Sequence, residues 1–320
     1  MVDSGTAMLY DGGDAARELF RFTAAKPGNR ERPIAVRPQS QRRPKVPTDL
    51  VKTPWSMLSD EAWEARLLAA LAGQDPLLPA APAADLQAIY VGASGEKAIR
   101  EAFQFYQITR AAAGDLPPDA NVLDFGVGWG RTIRMWLRDV QADSLFGVDV
   151  DPTILEVART TRVPGDLRLV GELGELPFDQ RFDIIISFSV FSHLSERSAR
   201  HWLARLVQSL KPGGTFVFTV LGQAWLQHVV GCAELLREKN SWEEMLGALF
   251  LNPRDVSAQY ERGVHAFAPV GGYASATSPE NYGWAALPAE VVRDVIGDMV
   301  RDIQWMANPG LGQDIFIVHK

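Results

Sequence analysis

The segment Asp124-Phe125-Gly126-Val127-Gly128-Trp129-Gly130 restricts the fold of this chain more than any other. The β-rich run Asn121–Phe125 enters it. Ile133, Trp136, Leu137 and Val140 leave it at helical spacing, so the pattern predicts strand, glycine bend and a helix over Thr132–Val140. Glycines there let the backbone turn tightly and approach a ligand where a Cβ would collide. Open α/β sheets bind nucleotides at such bends, at the carboxyl ends of parallel strands, although a tight turn without a ligand reads the same. The spacing is G-x-G-x-G, with Arg131 where a dinucleotide fingerprint needs its third glycine, which disfavours NAD and FAD. Asp149 ends the next strand, about twenty residues on, where a carboxylate accepts hydrogen bonds from both ribose hydroxyls. Helix capping, the other use for that acid, falls better to Asp151, which stands before Pro152.

From Pro118 onward strands and helices alternate, which predicts a largely parallel sheet covered on both faces. Leu167–Val170, Phe182–Phe188 and Thr215–Val220 read as strands. Ala199, Trp202, Leu203, Leu206, Val207 and Leu210 form one helical stripe after Ser195. The chain ends with a short helix near Pro288–Asp298 and two strands, 299–306 and 313–320, whose short link demands an antiparallel pair. Upstream, Ser59 caps a helix stopped by Gly73, a proline-rich linker follows, and a turn feeds a long helix ended by Gly114. The expected organisation is a flexible basic leader (1–57), a helical N-terminal extension (58–118) and an α/β domain (119–320) with a helical cap insertion (222–286). The cap should open on a capping box at Ser241 and Glu244 and continue as an aromatic, glycine-rich loop.

Lys26–Pro54 carries eight basic residues, two acids and six prolines, the composition of an extended or unstructured arm. Such an arm meets an anionic partner or a neighbouring subunit, or else is a poorly ordered leader. A net charge of −7 argues against a nucleic-acid binder. One cysteine, Cys232, excludes an internal disulfide, and no cysteine pair or histidine cluster has metal-ligand spacing. The acidic start lacks secretory character and no apolar run reaches about 20 residues, so a cytoplasmic location without a membrane span is expected.

VLDFGVGWGR, GVDVDP, GELGELPF, RFDIIISFSVFSHL and LKPGG together resemble the successive motifs of class I S-adenosylmethionine-dependent methyltransferases. The resemblance is close over about residues 90–221. It implies a Rossmann-like, seven-stranded, mostly parallel sheet whose last strand is antiparallel, with S-adenosyl-L-methionine as cofactor and S-adenosyl-L-homocysteine as product. Carried over position by position, it implies that Asp124, Gly126, Val127 and Gly128 line the methionine end. Asp149 takes the ribose and Val150 packs on adenine. Glu172, where many relatives have Asp, meets the adenine amino group beside Leu173. Phe188 and Ser189 flank the sulfonium. Tyr90, in YVGASG, resembles an aromatic that closes over the cofactor, and packing is its other use.

An activated methyl leaves the protein mainly to align an acceptor. His193, just past the fourth strand, is a candidate base for a hydroxyl acceptor or, alternatively, a rim histidine shaping the cofactor loop. Tyr260, His265, Tyr273, Tyr282 and Trp284 offer stacking faces to a saccharide or small-molecule acceptor, unless they form the insertion's own core. No Asn/Asp-Pro-Pro-Tyr/Phe follows the fourth strand, which disfavours nucleic-acid bases as acceptors. The segments YVGASG and SVFSHLSE resemble those of bacterial methyltransferases of polysaccharide and secondary-metabolite pathways. The expected activity is therefore O-methylation of a sugar or small-molecule hydroxyl. N-methylation of a small metabolite and non-catalytic cofactor binding are its rivals. Monomer and homodimer both remain open.

Overall fold

The computed structural model describes residues 53–179, 181–270, 277–308 and 310–320. The basic arm up to Lys52, and Tyr273 of the acceptor-side aromatics, lie outside the described residues. The strands in chain order are β1 (Val122–Phe125), β2 (Leu145–Asp149), β3 (Asp166–Leu169), β4 (Phe182–Ser187), β5 (Leu210–Val220), β6 (Ala266–Pro269), β7 (Gly283–Ala286), β8 (Asp302–Met306) and β9 (Asp314–His319). Among the described residues, seven of them form one sheet in the order β3-β2-β1-β4-β5-β9-β8. The first five run parallel, and β9 enters antiparallel between β5 and β8. The order reverses beside β1, the switch point at which open sheets bind ligands beyond the strands' carboxyl ends.

Because successive strand residues point to opposite faces, the sheet supplies two cores. Val122, Ile184, Ile186, Val217 and Ile315 pack beneath α1 (Asp60–Leu71), α2 (Ala84–Val91), α3 (Gly95–Ala113) and α4 (Pro152–Thr160). Leu123, Phe125, Ile185, Phe216, Phe218 and Phe316 pack against α5 (Glu196–Ser209) and the last helix, Ala289–Ile296. Between β5 and that last helix rise α6 (Gln223–Glu234), α7 (Ser241–Gly247), α8 (Pro253–Tyr260) and the antiparallel ribbon β6–β7, so the last helix is α9. Among the described residues no helix is long and apolar enough to cross a membrane.

Three local expectations change. In place of an α-helix over Thr132–Val140 stands a 3₁₀ helix, Ile133–Arg138, with all six residues buried. Side chains from upstream bond to carbonyls along it. Trp63 Nε1 donates at 3.0 Å to Met135 O, which an α-helix would give to the Asp139 amide, and the Thr53 hydroxyl donates to Arg138 O at the end at 2.7 Å. Second, a helix, α2, occupies the end of the proline-rich linker and contains Tyr90. Buried Gln87 staples it by donating to Pro82 O at 2.8 Å and accepting the Gly95 amide at 3.0 Å. Third, the capping box lies one residue earlier than expected: Asn240 accepts the Glu243 amide, and the Glu243 carboxylate accepts the Asn240 amide. The aromatic loop also contributes the ribbon β6–β7, so the insertion is not wholly helical.

Candidate functional site

At the carboxyl end of β1 the Gly126 and Val127 amides both donate to Val148 O at 2.9 Å, curling the chain over β2. Gly126 has φ +81°, and a Cβ there would stand 2.2 Å from Val190 Cγ2. Gly128, at φ +52°, has no atom within 4 Å of its absent Cβ and so leaves open space. Its amide donates to Asp149 Oδ2 at 2.9 Å, while Asp149 Oδ1 accepts the Asp151 amide at 3.0 Å. The strand-end carboxylate therefore faces the bend. Burial pushes its pKa up to about 6. Asp124 is 2% exposed, and its Oδ2 has no partner among the described residues. Burial first, and the Asp149 charge second, hold the Asp124 carboxyl well above the usual range. A buried oxygen without a donor is costly unless a ligand supplies one, and the α-ammonium of S-adenosylmethionine fits. Val127 is buried among core residues, so only its backbone borders the bend.

Val150, directly after β2, and Leu173 are half-buried, and the Tyr90 hydroxyl donates to Asp151 Oδ2 at 2.6 Å, bringing α2 to the β2 strand end. Past β4, Phe188 stacks on Phe105 with centroids 4.8 Å apart, and the Arg131 guanidinium lies 4.4 Å over the same ring. Ser189 adopts φ +63°, a left-handed conformation rare outside glycine. Polar contacts hold it there: its amide donates to Thr219 Oγ1 at 2.8 Å and its hydroxyl accepts from Gln313 Nε2 at 2.8 Å. Glu172 is tied to Ser278 and Asn281.

His193 follows the same bend. A carbonyl can only accept, so the 2.9 Å contact with Gly283 O makes Nδ1 the protonated nitrogen and leaves the lone pair on Nε2. Burial lowers the imidazole pKa to about 4. The ring stacks on Tyr282 at 5.1 Å and 11° and tilts against Trp284 at 5.0 Å. Trp284 in turn meets Trp225 at 6.0 Å and Trp242 at 5.7 Å.

The expected acceptor-side residues do not form one wall. Ala268 pairs with Trp284 and Ala266 with Ala286, placing Trp284 on one face of the ribbon; Phe267 and Ala285 occupy the other. His265 extends the Phe267 face, 6.5 Å from that ring, and bonds to Leu194 O with Glu196 and Arg200 nearby. It points to the start of α5, away from Trp284, because two-residue alternation separates 265 from 284. Tyr260 donates to Leu287 O at 3.4 Å within the insertion's own cluster.

The strand order with its antiparallel β9, the glycine bend and the Asp149 carboxylate coincide in sequence with a family model. Residues 122–214 match the model described as "Methyltransferase domain". Residues 122–214 thus carry a methyltransferase domain, on the sheet order that the resemblance to the S-adenosylmethionine-dependent class I enzymes implies. A malonyl-[acyl-carrier protein] O-methyltransferase of Priestia megaterium is 24% identical over 119 residues, 37% of this chain and 43% of that protein. A probable fatty acid methyltransferase of Pseudomonas putida is 29% identical over 113 residues, 33% of this chain and 26% of that protein. The chain thus spans less than half the length of these curated relatives. A solved S-adenosylmethionine-dependent methyltransferase from Clostridium acetobutylicum superposes with TM-score 0.47 at 14% identity, covering 69% of this chain and 91% of that one.

At this site one residue, Arg131, has no role assigned from sequence, and another, Tyr282, has a more particular place than the acceptor-side group it is expected in. Arg131 registers in the sequence only as a missing glycine, although its place after the third glycine puts a cation beside Asp124 and over the Phe188 ring. Tyr282 is one aromatic among several in sequence. In the fold it stacks on His193, and Asp149's charge, after burial, raises its hydroxyl pKa. No spacing rule links positions 149, 193 and 282, so only the fold unites them.

Proposed function

We propose that the protein is an S-adenosylmethionine-dependent methyltransferase acting on a hydroxyl of a sugar or other small molecule. The observation that carries this reading is the facing pair at adjacent strand ends: Asp149 on the Gly128 amide, and buried Asp124 with a free oxygen. Asp124 would take the cofactor's ammonium, Asp149 the ribose, and Val150 and Leu173 the adenine. Phe188, Ser189 and Arg131 would border the sulfonium and the carboxylate. The cofactor supplies a methyl group activated by its positive sulfur, so the protein's task is alignment and exclusion of water. His193 presents Nε2 as a neutral acceptor. With a pKa near 4 it holds and orients the acceptor's hydrogen and stores little proton charge at neutral pH. The same weak basicity favours a second reading, an amine acceptor that arrives neutral and needs no base. The two relatives bear names that point to acyl substrates, malonyl-[acyl-carrier protein] and fatty acid. They match about a third of this chain and less than half of their own length, so their acceptors are not carried over.

Calorimetry with S-adenosylhomocysteine tests this reading. The wild type should bind, and Asp149→Ala should weaken binding by about 1–3 kcal/mol, because ribose hydroxyls lose a charged partner. No binding by the folded wild type, or an unchanged affinity in folded Asp149→Ala, would remove the site. His193→Ala should lower methyl transfer to an accepted substrate more than it lowers this affinity.

A further inference from the structure

Glu172 stands where the family resemblance puts a ligand of the adenine amino group, yet its carboxylate already accepts three donors from within the protein. Oε1 accepts the Ser278 amide at 2.7 Å, and Oε2 accepts the Ser278 hydroxyl at 2.9 Å and Asn281 Nδ2 at 3.1 Å. The Glu172 carbonyl accepts the Trp202 indole N–H at 2.7 Å, which anchors the residue to α5. Asn281 is fixed from the same helix: its Oδ1 accepts the Ser198 hydroxyl at 3.2 Å and its carbonyl the Ser195 amide at 3.0 Å. The next residue is Tyr282, whose backbone bridges to Leu194 and whose ring lies on His193. One acidic side chain thus joins the loop after β3 to the segment that returns from the cap and lays an aromatic ring on the candidate acceptor-facing histidine.

We propose that Glu172 is a positioning residue that fastens Ser278–Asn281 and thereby holds Tyr282 against His193, and that it is not the adenine ligand of this protein. Three donors already occupy three of the carboxylate's roughly four acceptor sites, both of those on Oε2 among them, and each of the three comes from the segment that returns from the cap. Glutamate's extra methylene, relative to the aspartate of many relatives, carries the carboxylate out to the cap segment. This inference rests on the reading of His193 as the residue facing the acceptor.

The test combines histidine NMR titration of the ligand-free full chain with calorimetry. His193 is assigned among the five histidines by its loss in His193→Gln. The cofactor probes are S-adenosylhomocysteine and S-inosylhomocysteine, which lacks the amino group. In Glu172→Ala the His193 titration should move up by about one pH unit toward the ordinary 6.5, as Tyr282 lifts and water reaches the ring. The S-adenosylhomocysteine affinity should stay within about threefold, and the preference between the two probes should match the wild type. Ser278→Ala, which keeps the backbone amide and removes one donor, should shift His193 the same way by less. It decides the matter if Glu172→Ala fails to fold. A tenfold loss of affinity, loss of the preference between the probes, or an unmoved His193 in either folded variant would overturn the proposal. If the wild type binds neither probe, the cofactor reading fails, and the His193 titration still decides whether the latch exists.

Discussion

The two halves of the cleft are built on opposite principles. The half proposed for the cofactor is backbone geometry: glycines at φ +81° and +52°, amides 2.9 Å from their acceptors, and carboxylates held in burial. The cap half is side-chain packing, with Trp225, Trp242, Trp284, Tyr282 and His193 touching one another ring to ring. Backbone geometry tolerates few sequences and announces itself. Stacked aromatics tolerate many and announce only that something is packed. The cofactor half should therefore fail as a unit when its scaffold is disturbed, whereas the cap should loosen by itself.

The largest expected effect concerns the scaffold. Arg134 is 2% exposed, lies 5.0 Å from the Trp129 ring centroid and donates to carbonyl oxygens, Gly130 O at 2.7 Å and Pro79, Ala80 and Trp129 at 3.1–3.3 Å. Arg134→Met should cost about 2–4 kcal/mol in urea unfolding and weaken S-adenosylhomocysteine binding with it, since carbonyls of the bend lose their donor. Loss of stability with full affinity would show that the bend does not depend on this scaffold. Next in size, Trp284→Ala should cost about 1–2 kcal/mol, less than the ~3–5 kcal/mol of a fully buried indole because Trp284 is only half-buried. It should admit protease within 222–286, while affinity stays within about twofold. A parallel fall in affinity would erase the distinction between the halves.

The smallest effect is one of pH. Burial lowers the His265 pKa to about 4, below its unfolded value, so the folded chain resists protonation that the unfolded chain accepts. Its contribution is complete above about pH 6.5 and is lost as pH falls toward 4. Asp149 and Asp314, both pushed up to about 6 by burial, act with opposite sign: protonation on acidification favours the fold. His265→Phe should therefore flatten or reverse the acid loss of stability between pH 6.5 and 4 in urea titrations. An unchanged slope would show that His265 ionises freely in the folded cap.

Most of the sheet was legible because burial on two faces writes apolar strands and glycine bends directly into sequence, as in Phe182–Ser187 and Gly126–Gly130. The helix expected at Thr132–Val140 was not, because its stripe fits either helix type; Trp63 and Thr53, some seventy residues or more upstream, decide it. In the cleft, Asp124 and Asp149 could be located by their strand ends. The partners of Glu172 could not, since more than a hundred residues separate it from Ser278 and Asn281. His265 and Trp284 looked equivalent in sequence, and only the ribbon register separates them.

The bonds that join α1 and α3 to Ile133–Arg138 also set an order of events at the ribosome. Trp63, Phe103, Phe105 and Tyr106 emerge first, and their partners, Met135 and Trp136 among them, follow only some thirty to seventy residues later. At about 5–20 residues per second, that apolar face meets water for several seconds before the strand-and-bend segment arrives to cover it. The nascent chain thus has a window of stickiness, set by its architecture, in which a chaperone holding residues 60–113 would matter more than at any later stage.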